Sequence, residues 1–277
     1  MAVRARVGGG ERGQQMSVVV AYAWAELPQD ATVRSDGTVD WTAAKPALTP
    51  GDAAAIARGR EAADALGTEC IGLCAGGPSA GTPSATKAAL ARGVDRAVVV
   101  ADAALTFAGA TRLGMVLAAA IDRLGDVDLV LTGEGPGVSD AATAAAVLAG
   151  RLGWPLLSGV TSVTADASGT TVERIGDRRA QRLRVAGPAV LAVSDQAGQP
   201  APPGMADVLA AATKPVGRLE LSALRVPEVA PGTVTATAKA EPAARRGQVI
   251  DGADAAEAAS RLLVALRGEG LLGEADR

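Results

Sequence analysis

DLVLTGEGPGVSDAATAAAVLAGRLGW, residues 128–154, decides the fold: an apolar run breaks into a glycine-rich polar loop and then resumes with helical spacing. A strand ending at Thr132 would pass backbone amides from Gly133, Gly135 and Gly137 to the N-terminus of a helix starting near Asp140. Unpaired N–H groups and the helix dipole favour phosphate oxygens at such a place. The layout is that of a nucleotide pocket, and its chemistry is recognition. The plain alternative is a tight strand-to-helix connection whose glycines serve backbone geometry and whose Ser139 or Asp140 caps the helix.

Working outward, SVVVAY at 17–22 is a β-branched run suited to a strand covered on both faces. A long excursion follows, with a turn at Asp36-Gly37, and then Pro50-Gly51-Asp52 opens a helix whose Ile56, Ala63 and Leu66 share a stripe ending at Gly67. The rhythm repeats with strands at 69–74, 97–101 and 128–132 and helices at about 84–91, 104–124 and 140–152. Such alternation implies a parallel sheet with right-handed crossovers, and ligands beyond the carboxyl ends of its strands. After Trp154-Pro155 four consecutive strands, LLSGVTSVTAD, TTVERI, RLRVA and AVLAVSD, suggest an antiparallel edge on the parallel sheet. Beyond Gln199 come a short helix at about 205–212, a Pro/Thr/Val-rich arm to about 248, and a last helix at about 253–266. Too few large apolar residues gather there for a second core, so a partner surface is expected.

Composition narrows the function. The chain of 277 residues contains no histidine, which removes Ser-His-Asp and Cys-His catalysis, most zinc sites and the most usual acid–base group. No catalytic residue and no metal ligand set is assigned. A net charge of -3 disfavours nucleic acid or an anionic membrane as partner. No run of eighteen apolar residues appears, so no membrane span is expected and the chain reads as cytoplasmic. Cys70 and Cys74 fall on one side of a strand without forming a CxxC motif, and are expected to be buried structural thiols. Residues 1–16 read as a disordered or mis-assigned lead.

VVVAYAW at 18–24, LTPGDAAAIARGREA at 48–62, CAGGP at 74–78, KAALARGVDRAVVV at 87–100, LVLTGEGPGVSDAATAAAVLAGRLGWP at 129–155 and GPAVLAVSD at 187–195 occur in this order. Together they resemble the beta subunit of electron transfer flavoproteins, over about 17–220. The resemblance implies a doubly wound, Rossmann-like α/β domain at 17–220, and an arm and helix at 221–277 that dock on an alpha subunit. It also implies electron transfer from a flavin-dependent dehydrogenase to an acceptor, with AMP in this chain and FAD held by or shared with the alpha subunit. In a bifurcating subset the beta site holds a second FAD. Carried over by position, the cofactor-binding residues are Ala21, Thr49, Gly76 and Gly77, together with Gly133, Glu134, Gly135, Gly137, Val138, Ser139, Asp140 and Thr143.

The departures are as informative. Where the family has an acidic run and Asn-Gln-Thr-Gly, this chain has Val138-Ser139-Asp140-Ala141-Ala142-Thr143-Ala144-Ala145, so side-chain donors to a phosphate or ribose are largely lost. Thr49 stands where Asn is usual, and Ala23 and Pro28 stand where basic and aromatic residues follow the first strand. The site therefore holds AMP or is a degenerate form that has lost it. Such a divergent paralogue is similar to the beta-like subunits associated with the peptide-derived cofactor mycofactocin. A stand-alone adenine-nucleotide sensor or stress-type module of related fold is the competing reading. If amides of the loop grip the nucleotide, Gly135→Asp is expected to eject it while far-UV circular dichroism stays unchanged; retained nucleotide would move the ligand elsewhere.

Overall fold

The computed structural model describes residues 17–106, 108–134, 141–166, 169–176, 179–228 and 247–272. The chain divides into two compact units, one of Met1–Thr32 with Val39–Thr237 and the other of Val33–Thr38 with Ala238–Arg277.

In the first unit the β-branched runs form a nine-stranded sheet. Its strands are β1 (Ser17–Tyr22), β2 (Cys70–Gly76), β3 (Arg96–Ala101), β4 (Val127–Gly133), β5 (Leu156–Asp166), β6 (Gly169–Ile175), β7 (Ala180–Val185), β8 (Ala189–Val193) and β9 (Val216–Arg218). Their order is β7-β6-β5-β8-β4-β1-β2-β3-β9. Pairing is parallel from β5 through β8, β4, β1, β2 and β3 to β9, and antiparallel between β5, β6 and β7. The chain leaves β1 toward β2 on one side and returns from β3 to β4 on the other. The switch point of this doubly wound sheet therefore lies between β1 and β4, where ligands of such folds collect.

Four helices cover the sheet: α1 (Pro50–Leu66), α2 (Pro83–Leu90), α3 (Ala110–Leu124) and α4 (Ala141–Leu152). On one face Val20, Leu131 and Leu191 pack with Ile56 of α1 and with Ala89 and Leu90 of α2. On the other, Val19, Val130 and Val190 pack with Val116 and Ile121 of α3 and Leu148 of α4. Alternate residues of one strand thus enter different cores, which is why the central strands read as unbroken apolar runs. Gly67 ends α1 in the left-handed conformation at its C-terminal cap. Trp154 packs half-buried against the α3–α4 face. Both cysteines are free and buried, and burial pushes the Cys70 thiol up to about 12.

Two features differ from the reading of the sequence. AVLAV does not join an antiparallel edge: β8 inserts between β4 and β5 as a parallel, fully buried strand. The eleven residues of β5 explain how. Its first half pairs with β8, and after a bulge near Gly159 its second half pairs with β6, so one strand serves both the parallel core and the antiparallel edge. The helix expected over 104–124 is a short 3-10 turn at Ala103–Leu105 followed by α3 from Ala110.

Lys214 and Arg218 fasten the segment after β8, Arg218 by donating to the Gly81 carbonyl at 2.9 Å. Lys214 follows α5 (Met205–Ala211), and its Nζ donates to the Leu90 and Val94 carbonyls at 2.9 and 2.8 Å, beyond the end of α2. The Leu90 carbonyl also accepts the Gly93 N–H and Val94 lies beyond the helix, so the lysine anchors the stretch before β9 to the turn that follows α2. Lys214→Met is expected to remove about 1.5–3 kcal/mol, read as a lower urea midpoint with an unchanged slope.

In the second unit α6 (Ala255–Gly268) is capped by Asp254, whose side chain accepts the Glu257 N–H. Leu262, Leu263 and Val264 are exposed on it. Among the described residues no helix is long and apolar enough to cross a membrane, and no group of three or more His, Cys, Asp or Glu could hold a metal.

Candidate functional site

Sheet register places Leu73, Ala21, Thr132 and Ala192 in one row across β2, β1, β4 and β8, at the carboxyl edge of the sheet. A small open hollow of about 100 Å³ lies over this edge at the switch point, less than a pocket that encloses a whole ligand. Ala21, Tyr22 and Ala23 form one wall and Thr132 and Gly133 the floor. Ala110, Leu113 and Leu117 of α3 and Ala141, Ala144 and Ala145 of α4 form the opposite side. Alanine recurs because α3 and α4 lie close, and a larger residue would fill the space. At Gly114 an added methyl would stand 2.6 Å from the Ala144 carbonyl oxygen.

Asp52 is the charged residue on this apolar lining among the described residues. The spacing Thr49-Pro50-Gly51-Asp52 places a threonine N-cap three residues before an acid, the pattern of a capping box. Thr49 Oγ1 accepts the Asp52 N–H at 3.0 Å and donates to Asp52 Oδ2 at 2.8 Å. The Ala23 N–H also donates to Oδ2, at 3.3 Å, so the carboxylate ties α1 to the end of β1. Burial is the largest influence on this group and lifts its pKa from 3.8 to about 6, against the pull of bonds from Thr49, Ala23 and Gly133.

The approach of β4 to α1 is unusually close. A methyl on Gly133 would lie 2.4 Å from the Asp52 nitrogen, and one on Gly51 would lie 2.1 Å from the Glu134 carbonyl oxygen. Two glycines let the two backbones meet. Tyr22 is buried beside them, its hydroxyl donating to the Ala85 carbonyl at 3.4 Å, and burial raises its pKa far above the ordinary phenol. Thr132 is the exception to full pairing: it is 7% exposed, and its hydroxyl has no hydrogen-bond partner among the described residues.

The expected cofactor residues separate into groups. Ala21 and Gly133 lie on the hollow. Thr49 stands behind it, its hydroxyl engaged with Asp52. Gly76 and Gly77 follow Ala75, which does line the hollow, but they pack toward Ala80 and Thr106. The Glu134 carboxylate accepts the Gly159 N–H at 2.8 Å, so it holds the β5 bulge. Thr143 is exposed and off the wall. Gly135, Gly137, Val138, Ser139 and Asp140 lie outside the described residues. Sequence reasoning missed Asp52 and the α3 residues; the capping-box spacing could have found the first, whereas nothing local points to the second.

The arrangement presents a small, largely apolar surface with the Thr132 hydroxyl on it, while the Asp52 carboxylate is engaged by Thr49, Ala23 and Gly133. A model of the family described as "Electron transfer flavoprotein domain" matches residues 37–224, a span that contains Asp52, Thr132 and the lining residues of α3 and α4.

Proposed function

The chain belongs to the electron transfer flavoprotein family, and from that premise we propose that it is the beta subunit of a heterodimeric carrier that takes electrons from a flavin-dependent dehydrogenase and delivers them to an acceptor. The observation that carries this reading is the apolar hollow at the switch point, with a Thr132 hydroxyl in its floor that has no partner among the described residues. A buried polar group without a partner is costly, and an adenine ring supplies one. Asp52 and Tyr22, the titratable residues of the lining, direct hydrogen bonds at the chain itself, which favours holding over bond making.

AMP, or the adenine end of FAD, is the proposed occupant, with Ala21, Thr132, Gly133 and α4 around it. Flavin bound by the pair of subunits supplies the redox chemistry; this chain contributes position and electrostatics. The segment from 221 and α6, which exposes Leu262, Leu263 and Val264, is the proposed clasp for the alpha subunit. The losses of polar side chains at 138–145 support a divergent branch, such as the mycofactocin-associated one.

Co-expression with candidate alpha subunits, purification, chromatography of the released nucleotides and a visible flavin spectrum test the proposal. A yellow complex releasing AMP is expected. A colourless chain that associates with no alpha subunit overturns it, and a monomer retaining an adenylate favours the stand-alone module.

A further inference from the structure

One carboxylate ties together parts of the chain that meet at the carboxyl edge of the sheet. Asp52 Oδ2 accepts the Thr49 hydroxyl at 2.8 Å and the Ala23 N–H at 3.3 Å, and the Thr49 and Gly133 amides also donate to the group. Ala23 and Thr49 stand where the excursion after β1 leaves the sheet and returns as α1, and between them Ala25–Glu26 pairs with Pro46–Ala47. Gly133 ends β4. These donors fill the roughly four lone-pair sites of a carboxylate, so the ionised group is saturated.

A proton changes this arrangement, because it needs an acceptor of its own. Among the partners only the Thr49 hydroxyl can accept, since the others are amides with fixed hydrogens. The proton therefore belongs on Oδ2, donated to Thr49 Oγ1, whose own hydrogen turns away. Oδ2 becomes the hydroxyl of a neutral acid, and the Ala23 amide, already 3.3 Å away, loses a charged acceptor. Burial favours the neutral form and places its titration at about 6. The titratable groups that face Asp52 do not interfere: burial raises the pKa of Tyr22 on β1 and of Cys74 on β2, so both stay neutral, and Glu134 after β4 turns its carboxylate to the Gly159 amide. No lysine or arginine stands on the lining among the described residues.

We propose that Asp52 is a proton-operated clasp: ionised, it holds Ala23 against α1 and keeps the hollow narrow, and protonated, it releases Ala23 so that this wall yields to a ligand. Ala23 is part of the wall, and the space beside it is too small to enclose a ligand unless the wall moves. The clasp is shut above about pH 6 and opens as pH falls below it. Its gating of a ligand rests on the adenylate reading above; its opening does not.

The test is amide hydrogen exchange of the full chain between pH 5 and pH 7.5, read by residue with NMR and corrected for the intrinsic pH dependence of exchange. Ala23 is expected to lose about fivefold in protection as pH falls, the effect of removing charge assistance from one bond, with a midpoint at about 6. Val19 and Val130 in the sheet are expected to keep theirs. A merely structural aspartate would leave all three unchanged. Asp52→Asn, neutral at every pH, is expected to abolish the dependence at Ala23. Should that variant fail to fold, the carbon-13 titration of the Asp52 carboxyl in wild type decides, since its midpoint must coincide with that of Ala23. Adenosine, uncharged across this range, is expected to bind about fivefold more tightly at pH 5 than at pH 7.5, following the release of Ala23. Constant protection of Ala23, or a midpoint that differs from that of Asp52, overturns the clasp. Release of Ala23 with unchanged adenosine affinity overturns its gating of the hollow. Chain that binds no adenosine at any pH counts against the adenylate reading, and the exchange data then decide the clasp alone.

Discussion

Replacing Gly133 with alanine is expected to destabilise the chain by about 3 kcal/mol or more, since the new methyl enters a backbone contact that cannot yield as a side chain could. The added carbon would stand 2.4 Å from the Asp52 nitrogen and 2.5 Å from the Gly51 carbonyl carbon. Relief requires the end of β4 to withdraw from α1, and that separation breaks the geometry which presents Asp52 to the hollow. A fall in melting temperature of roughly 6–12 °C follows for a domain of this size. Gly150→Ala is the control: α4 passes through Gly150 with nothing within 4 Å of an added methyl, so alanine there is neutral or stabilising. Equal melting temperatures for the two variants would mean that β4 and α1 do not meet as described.

Asp52→Asn is expected to change how stability depends on pH. The folded carboxyl titrates at about 6 against an ordinary 3.8, so between those values the native chain binds the proton that the unfolded chain has released. The stability this supplies is fully present below about pH 3.8 and is lost as pH rises through 6. A rise of about two units corresponds to about 3 kcal/mol. Other carboxylates move oppositely, Asp95 among them, whose pKa is lowered despite partial burial by bonds from the Cys70 amide and Arg60. The readout is therefore a difference: the stability of wild type relative to Asp52→Asn should fall by about 2 kcal/mol between pH 4 and pH 7, by urea unfolding at each pH. A difference that stays constant across that range would show that Asp52 is solvated and does not line the hollow.

The sequence revealed the central strands because residues such as Val18, Val19 and Val20 are buried on both faces and must all be apolar. It placed the parallel sheet correctly for a general reason, since alternating strands and helices imply parallel strands joined by crossovers. β8 was misread because AVLAV follows three strands that lie consecutively in the chain, and neighbours in sequence suggest neighbours in an edge. Its lack of polar alternation carried the correct answer, for a solvent-facing edge strand alternates. The site was only partly legible. Gly133 was read as an amide donor for phosphate, and the sequence did not show that it also lets two backbones meet. Glu134 was read as a cofactor-binding residue, and its carboxylate accepts the Gly159 amide 25 residues away, a contact nothing local foretells.

Local sequence determined what depends on a few consecutive residues: the apolar runs, the Thr49–Asp52 cap, the glycine that ends α1, and the absence of histidine chemistry. Tertiary structure alone decided which of those residues share a space. Thr132, Asp52 and Ala110 come from β4, α1 and α3, and they line one hollow because crossovers run to both sides of β1 and two glycines allow β4 and α1 to meet. Hydrophobic periodicity assigns a residue to a face, but it does not encode the separation of two backbones. Here that close approach helps to bury the carboxylate, and burial raises its pKa.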